Sequence, residues 1–225
     1  MAAARKKAAA RKKAPARAPR AAKPASRAAQ VLQFKITLEG IAPPIWRRIQ
    51  VPAEYTFWDL HVAIQDAMGW DDCHLHQFVF HGEDESSYVY LGIPDDEGVE
   101  GEAEILPGWE YGVFDQFERP GDRVIYEYDF GDDWEHGVLL EEILPRAARG
   151  RYPRCLAGER ACPPEDCGGV GGYERLLAAL RDPKHADRAE LLAWIGGSYD
   201  PEAFDAGQVR FHDPRRRLKA MLGAE

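Results

Sequence analysis

In the stretch YDFGDDWEH, Tyr128 to His136, four carboxylates, a Trp and a His share nine positions. Oxygen donors from Asp129, Asp132, Asp133 and Glu135 can hold a divalent cation, and a carboxylate beside His136 can share a proton. Asp129 and His136 are therefore the candidate catalytic pair. The same residue types also build a tight turn. Gly131, Asp132 and Asp133 tolerate positive φ or bond to their own backbone. Asp129 and Phe130 would end one strand, and Trp134 would start the next with its ring in the core. The turn is the expected role. The DFG triplet lacks a kinase context, with no glycine-rich loop, Val-Ala-Ile-Lys strand or His-Arg-Asp loop around it.

Cys155, Cys162 and Cys167 fall within thirteen residues of a Pro/Gly-rich loop, spaced Cys-x6-Cys-x4-Cys. Structural zinc takes four sulfur or nitrogen ligands, so a fourth must come from elsewhere. His136 is the candidate, giving Cys155, Cys162, Cys167 and His136 as the metal set and zinc as the cofactor. No Cys-x2-Cys pair is present, and a rigid loop with half-buried thiols, or a Cys162–Cys167 disulfide, stands beside the metal reading. His74 and His76 are two apart, which on a strand puts them on one face as a ligand pair. His61 sits among apolar neighbours and reads as a core residue. The segment GGVGGY has no strand before it and no Lys-Ser/Thr after it, so it reads as a flexible helix entry.

These groups sit in a chain of 225 residues whose net charge of −9 conceals two opposite parts. Ten of the 29 Lys and Arg residues lie in residues 1–29, without one Asp or Glu, so the remainder carries 19 basic residues against 38 acidic ones, a net of −19. The leader, residues 1–30, is built of Ala, Lys, Arg and Pro and cannot bury enough apolar surface to order itself. Its cations, Arg5, Lys6, Lys7, Arg11, Lys12, Lys13, Arg17, Arg20, Lys23 and Arg27, suit sequence-blind contact with DNA. No apolar run approaches the roughly 20 residues of a membrane helix, and the N-terminus lacks the apolar centre of a secretory signal. A cytoplasmic protein with reduced thiols is expected.

The elements that must position the candidate residues follow from periodicity. VLQFKITLEG alternates as a half-buried strand, and IWRRIQVP is its hairpin partner. Thr56 caps a helix over FWDLHVAIQDAM that Gly69 ends. LHQFVFHG is a third strand, so the opening order is β-grasp-like. Short strands are expected near SYVYLGI and YGVF, and a hairpin from DRVIYEYDFG and WEHGVLLEEIL. Pro153 to Gly172 reads as a loop, followed by helices in GYERLLAALRD, HADRAELLAWIGG and DPRRRLKAMLG. The fold class is α+β: a mixed or antiparallel sheet with a helical C-terminal region. Residues 31–212 form the domain, and residues 213–225 a basic helix packing on or extending it, which can contact phosphate or dock on the protein's own acidic surface.

Laid end to end, PPIWRRIQVP, FWDLHVAIQDAMGWDDCHLHQF, YDFGDDWEH and ACPPEDCGGVGGYERL resemble the plasmid pRiA4b ORF-3-like family over Val31 to Phe211. Members of that family carry labels of passenger or resolvase-like proteins of insertion elements. The resemblance implies an α+β fold and association with plasmid-borne or mobile genes, and it supplies no reaction. Serine recombination needs a nucleophilic Ser held by clustered arginines, which Ser26 in the leader and Ser86, Ser87 and Ser198 lack. The expected function is a non-enzymatic accessory protein that binds DNA and an unidentified protein partner. The alternative is a metal-dependent, hydrolase-like enzyme using the acidic hairpin and the His/Cys groups.

Overall fold

The computed structural model describes residues 26–81, 88–94 and 104–223. Its centre is one eight-stranded sheet made of β1 (Gln30–Leu38), β2 (Ile45–Pro52), β3 (His76–His81), β4 (Tyr88–Gly92), β5 (Ile105–Pro107), β6 (Arg123–Tyr128), β7 (Trp134–Pro145) and β8 (Arg154–Glu159). The spatial order is β5-β4-β3-β6-β7-β1-β2-β8. Only β4 and β5 run parallel; every other pair is antiparallel. Helices α1 (Phe57–Met68), α2 (Gly169–Arg181), α3 (Arg188–Trp194) and α4 (Pro214–Met221) complete an α+β architecture.

Alternation along the strands sorts the two faces. Leu32, Phe34, Ile36 and Leu38 of β1, Ile45 and Ile49 of β2, Tyr126 and Tyr128 of β6, and Trp134, Val138 and Leu140 of β7 share one core with α1 and α2. Along β1 and β2 the opposite face is polar and ties itself together. Lys35 and Arg48 lie over the Trp46 ring at 5.0 and 5.2 Å, and Arg48 makes a fork to Glu141 at 2.6 and 2.7 Å.

Helix α1 begins and ends where its sequence requires. Thr56 Oγ1 accepts from Asp59 N, and the Asp59 carboxylate accepts from Thr56 N, a reciprocal cap. Gly69 at φ 91° stops it in the left-handed region. Ten of the twelve residues are buried, which is why the helix lies under the sheet rather than beside it. Thr56→Ala is expected to cost about 1 kcal/mol, read as a lower urea midpoint at unchanged slope.

The opening order strand, strand, helix, strand is present, but β3 does not lie beside β1. Strands β6 and β7 sit between them. Two local expectations are corrected. The YGVF segment is not a strand: Gly112 makes a single bridge to Thr56, and Val113–Asp115 is one 3-10 turn. The Cys-rich loop contains β8, which pairs with β2 across a register shift at Arg48/Ile49. That bulge breaks the two-residue period that would have marked β8 in the sequence.

Candidate functional site

Three segments meet beyond the Tyr128 end of β6: the β6–β7 turn, the stretch 71–75 leading into β3, and the loop 162–168 before α2. The turn is the expected one, with Asp129 and Asp133 at φ 57° and Asp133 N donating to Asp129 O at 2.7 Å. Asp129 N donates to Leu75 O, tying the turn to the β3 approach. Gly168 N donates to Asp132 Oδ2 at 3.0 Å, tying the turn to the loop. Glycine is required at this contact. A Cβ on Gly169 would lie 2.4 Å from Asp132 O, and one on Gly172 would lie 1.8 Å from Cys167 O.

The junction gathers His74, Asp129, Glu165 and Asp166. His74 Nε2 lies 3.0 Å from Asp166 Oδ1, 3.5 Å from Asp129 Oδ2 and 4.0 Å from Glu165 Oε2. The Cys73 thiol joins His74 and Glu165 in a second group, with donor atoms within 4.8 Å of one another. Hydrogen bonds hold one oxygen of each inner carboxylate. Asp129 Oδ1 accepts from Gly131 N and Asp132 N. Glu165 Oε1 accepts from Asp71 N at 2.8 Å and from the Tyr128 hydroxyl at 3.0 Å. Burial nonetheless pushes the Glu165 carboxyl above its ordinary range. It also raises the Cys73 thiol, with Glu165 adding to the effect.

Cys73 and His74 form part of the wall of a cleft of about 510 Å³, shared with Trp58, Asp71, Asp72, Leu75, Ile93, Arg217, Ala220 and Met221. Helix α4 supplies one side of it. Arg217 bridges two carboxylates, Asp72 at 3.0 Å and Asp66 at 3.1 Å. His212 adds its backbone N–H and Nδ1 to Asp66 at 2.7 and 2.6 Å. Behind Asp72 a relay enters the core. Gln65 Nε2 donates to the Tyr126 hydroxyl at 2.9 Å, Tyr126 meets His61 Nδ1 at 2.8 Å, and His61 Nε2 meets Asp72 Oδ1 at 2.8 Å. Burial lowers the His61 pKa, with the Asp72 carboxylate opposing it. His76 stacks on His61 with ring centres 3.4 Å apart.

The residues singled out by sequence go to different places. Asp129 and Asp132 are at the junction. His136 is fully buried on β7, its Nδ1 bonded to Tyr126 O at 3.3 Å, its ring edge-on to Trp70. Cys155 lies on β8 near Arg47, and Cys155, Cys162 and Cys167 are all half-buried free thiols packed against the core. Burial raises the Cys155 and Cys162 thiols and pushes Cys167 up to about 12. Among the described residues, Cys155, Cys162, Cys167 and His136 do not bring three donor atoms together. His74 and His76 part company because β3 starts only at His76, so the strand period does not reach His74. Of the ten leader cations, Arg27 alone lies within the described residues; it pairs with Asp115 and stacks over Phe114. Glu165 and Asp166 were not singled out. They sit inside the quoted ACPPEDCGGVGGY stretch, where the cysteines drew the attention.

Among the described residues no helix is long and apolar enough to cross a membrane. A curated relative, the uncharacterized protein y4hQ of Sinorhizobium fredii, is 36% identical over 183 residues, covering 80% of this chain and 89% of the relative. The crystal structure of a protein of unknown function, MM3350 from Methanosarcina mazei Go1, superposes with a TM-score of 0.72 at 42% identity, over 81% of this chain and 98% of that one. The model of the plasmid pRiA4b ORF-3-like protein matches residues 30–208, from the first residue of β1 to just short of α4. By sequence and backbone alike, the chain belongs to the plasmid pRiA4b ORF-3-like family.

Proposed function

We propose that this is a non-enzymatic accessory protein of plasmid-borne or mobile genes, acting in the cytoplasm, whose basic leader contacts DNA while its acidic body binds a protein partner. The division of charge carries this reading. Arg27, the last leader cation, lies at the surface with its side chain about half exposed. The other nine cations, Arg5 to Lys23, precede it and lie outside the described residues. The cleft beside α4 supports a partner-binding role for the body: it is lined by Asp71, by Asp72 with its Arg217 partner, and by apolar Leu75, Ile93 and Met221. That pairing of charge and apolar surface fits a cationic segment with aliphatic side chains.

Affinity of the full chain for a short duplex DNA, measured against salt, tests the leader. Phosphate contacts by most of its cations predict a loss of about 10³-fold between roughly 50 and 200 mM salt. Replacing the ten cations by Gln should remove that dependence. Equal affinity of the two chains at low salt would reject the arm.

A second reading, a metal-dependent hydrolase, is favoured by one observation: His74 stands both on the cleft wall and among carboxylates. Hydrolysis of chromogenic esters or phosphoesters, abolished by His74→Ala, would replace the accessory reading.

A further inference from the structure

We propose that His74, Asp129 and Asp166 form a zinc site, with Glu165 and the Cys73 thiol at its outer edge. The inference goes beyond the accessory reading and does not depend on the leader.

The donor geometry is the first ground. Zinc bonds of about 2.0–2.2 Å in a tetrahedron place neighbouring ligand atoms roughly 3.3–3.6 Å apart. The distances from His74 Nε2 to Asp166 Oδ1 and Asp129 Oδ2, 3.0 and 3.5 Å, bracket that spacing, and the three donor atoms lie within 4.8 Å of one another. Glu165 Oε2, 4.0 Å from the same nitrogen, stands farther out beside Cys73.

The unpartnered atoms are the second and independent ground. His74 Nε2 and Glu165 Oε2 are shielded from water and make no hydrogen bond among the described residues. The Asp129 side chain is 8% exposed, and its Oδ2 lies 3.5 Å from His74 Nε2. Buried polar atoms without partners are costly, so several around one point signal something that binds them together. The surrounding bonds have the form of a metal's outer shell. Backbone N–H groups and the Tyr128 hydroxyl occupy Asp129 Oδ1 and Glu165 Oε1, leaving the second oxygen of each carboxylate directed at the imidazole.

Donor chemistry selects the ion. Magnesium and calcium favour all-oxygen shells, whereas an imidazole with carboxylates and an adjacent thiol suits zinc. The ion would join the hairpin turn, the approach to β3 and the loop before α2. Because Cys73 and His74 also line the cleft, one side of the ion would face it.

The test is zinc binding to the full chain after chelator treatment and dialysis, followed by titration with zinc sulfate and elemental analysis. One equivalent is expected. His74→Ala should lower affinity at least about 100-fold, as loss of a ligand does; Asp129→Asn should weaken it at least tenfold. His74 is part-exposed, so unchanged circular dichroism will separate ligand loss from unfolding. In the cobalt-substituted protein, Cys73→Ser should remove thiolate-to-metal charge transfer if the thiol binds. Persistence of that band in Cys73→Ser, with loss on replacing Cys155, Cys162 and Cys167 by Ser, would move the metal to the other cysteines and overturn the assignment. So would less than a tenth of an equivalent of zinc, or binding that His74→Ala and Asp129→Asn leave unchanged.

Discussion

Lowering the pH from 7.5 to 5.5 is expected to strip the protein of several kcal/mol of stability, with the loss setting in near pH 6.5. Three histidines, His61, His76 and His136, are wholly enclosed, and burial lowers the pKa of each; His136 falls to about 3. The charged groups around them do not reverse this. Asp72 and Asp66 favour the His61 cation and Arg217 opposes it, His76 faces His61, and His136 faces backbone carbonyls. In the unfolded chain these imidazoles titrate near the ordinary value of 6.5. Below it the unfolded state binds protons that the folded state refuses, so stability is complete above that value and falls with decreasing pH. A histidine held well below its ordinary value contributes about 1.4 kcal/mol per pH unit, so His76 and His136 together give roughly 3 kcal/mol per unit, and His61 adds in the same direction. A small domain has only about 5–15 kcal/mol in total. Urea midpoints at pH 7.5 and 5.5 measure the effect, and His76→Phe should reduce the slope by up to about half. Equal midpoints at the two pH values would contradict it.

Arg47→Ala is expected to cost about 4 kcal/mol, the largest single-site loss outside the apolar core. The side chain is 1% exposed. Its Nε donates to Ala67 O and its Nη1 to Trp46 O and Glu159 O, each at 2.9 Å, and its guanidinium lies 3.9 Å from the Phe204 ring centre. Among the described residues it has no ion pair; carbonyl dipoles and an aromatic face hold the charge. It thereby joins the end of α1, β2, β8 and the 204 segment. Truncation strips a donor from buried carbonyls and leaves a cavity. Arg47→Lys should recover little, because a single ammonium cannot serve the three carbonyls and the ring in their forked arrangement. Arg47→Met restores volume but not hydrogen bonds and should fall between. Denaturant unfolding of the three variants orders them, and a loss below about 1 kcal/mol for Arg47→Ala would refute the account.

The strands and helices that could be read from the chain were those with an uninterrupted period. β1, β2, α1 and β6 have one, β7 keeps one from Trp134 to Leu140 ahead of its bulge at Glu141, and the Thr56 and Gly69 boundaries carry their own chemistry. β5 is three residues long and gains its definition from β4, and β8 is bulged, so neither has a period to read. The turn at Asp129–Asp133 was legible because Gly and Asp suit its positive φ angles. The junction was not. It joins residues 73–74, 129 and 165–166, and no local pattern says that these three stretches meet. Cysteine spacing pointed to Cys155, Cys162 and Cys167, which lie half-buried against the core. His136 belonged to the most suggestive motif and turns inward, because β7 alternation puts it on the same face as Trp134 and Val138.

The two ends of the sheet bear on how this protein behaves when crowded. An open sheet exposes unused amide and carbonyl groups along its outermost strands, and these can recruit another chain. Here one outer strand, β5, has three residues and finishes at Pro107, which has no N–H to offer. The other, β8, is kinked by its bulge and flanked by Arg154 and Glu159. Both margins are poor templates for fibril growth, so lengthening or straightening either one, rather than loosening the core, is the change most apt to turn the protein into an aggregate.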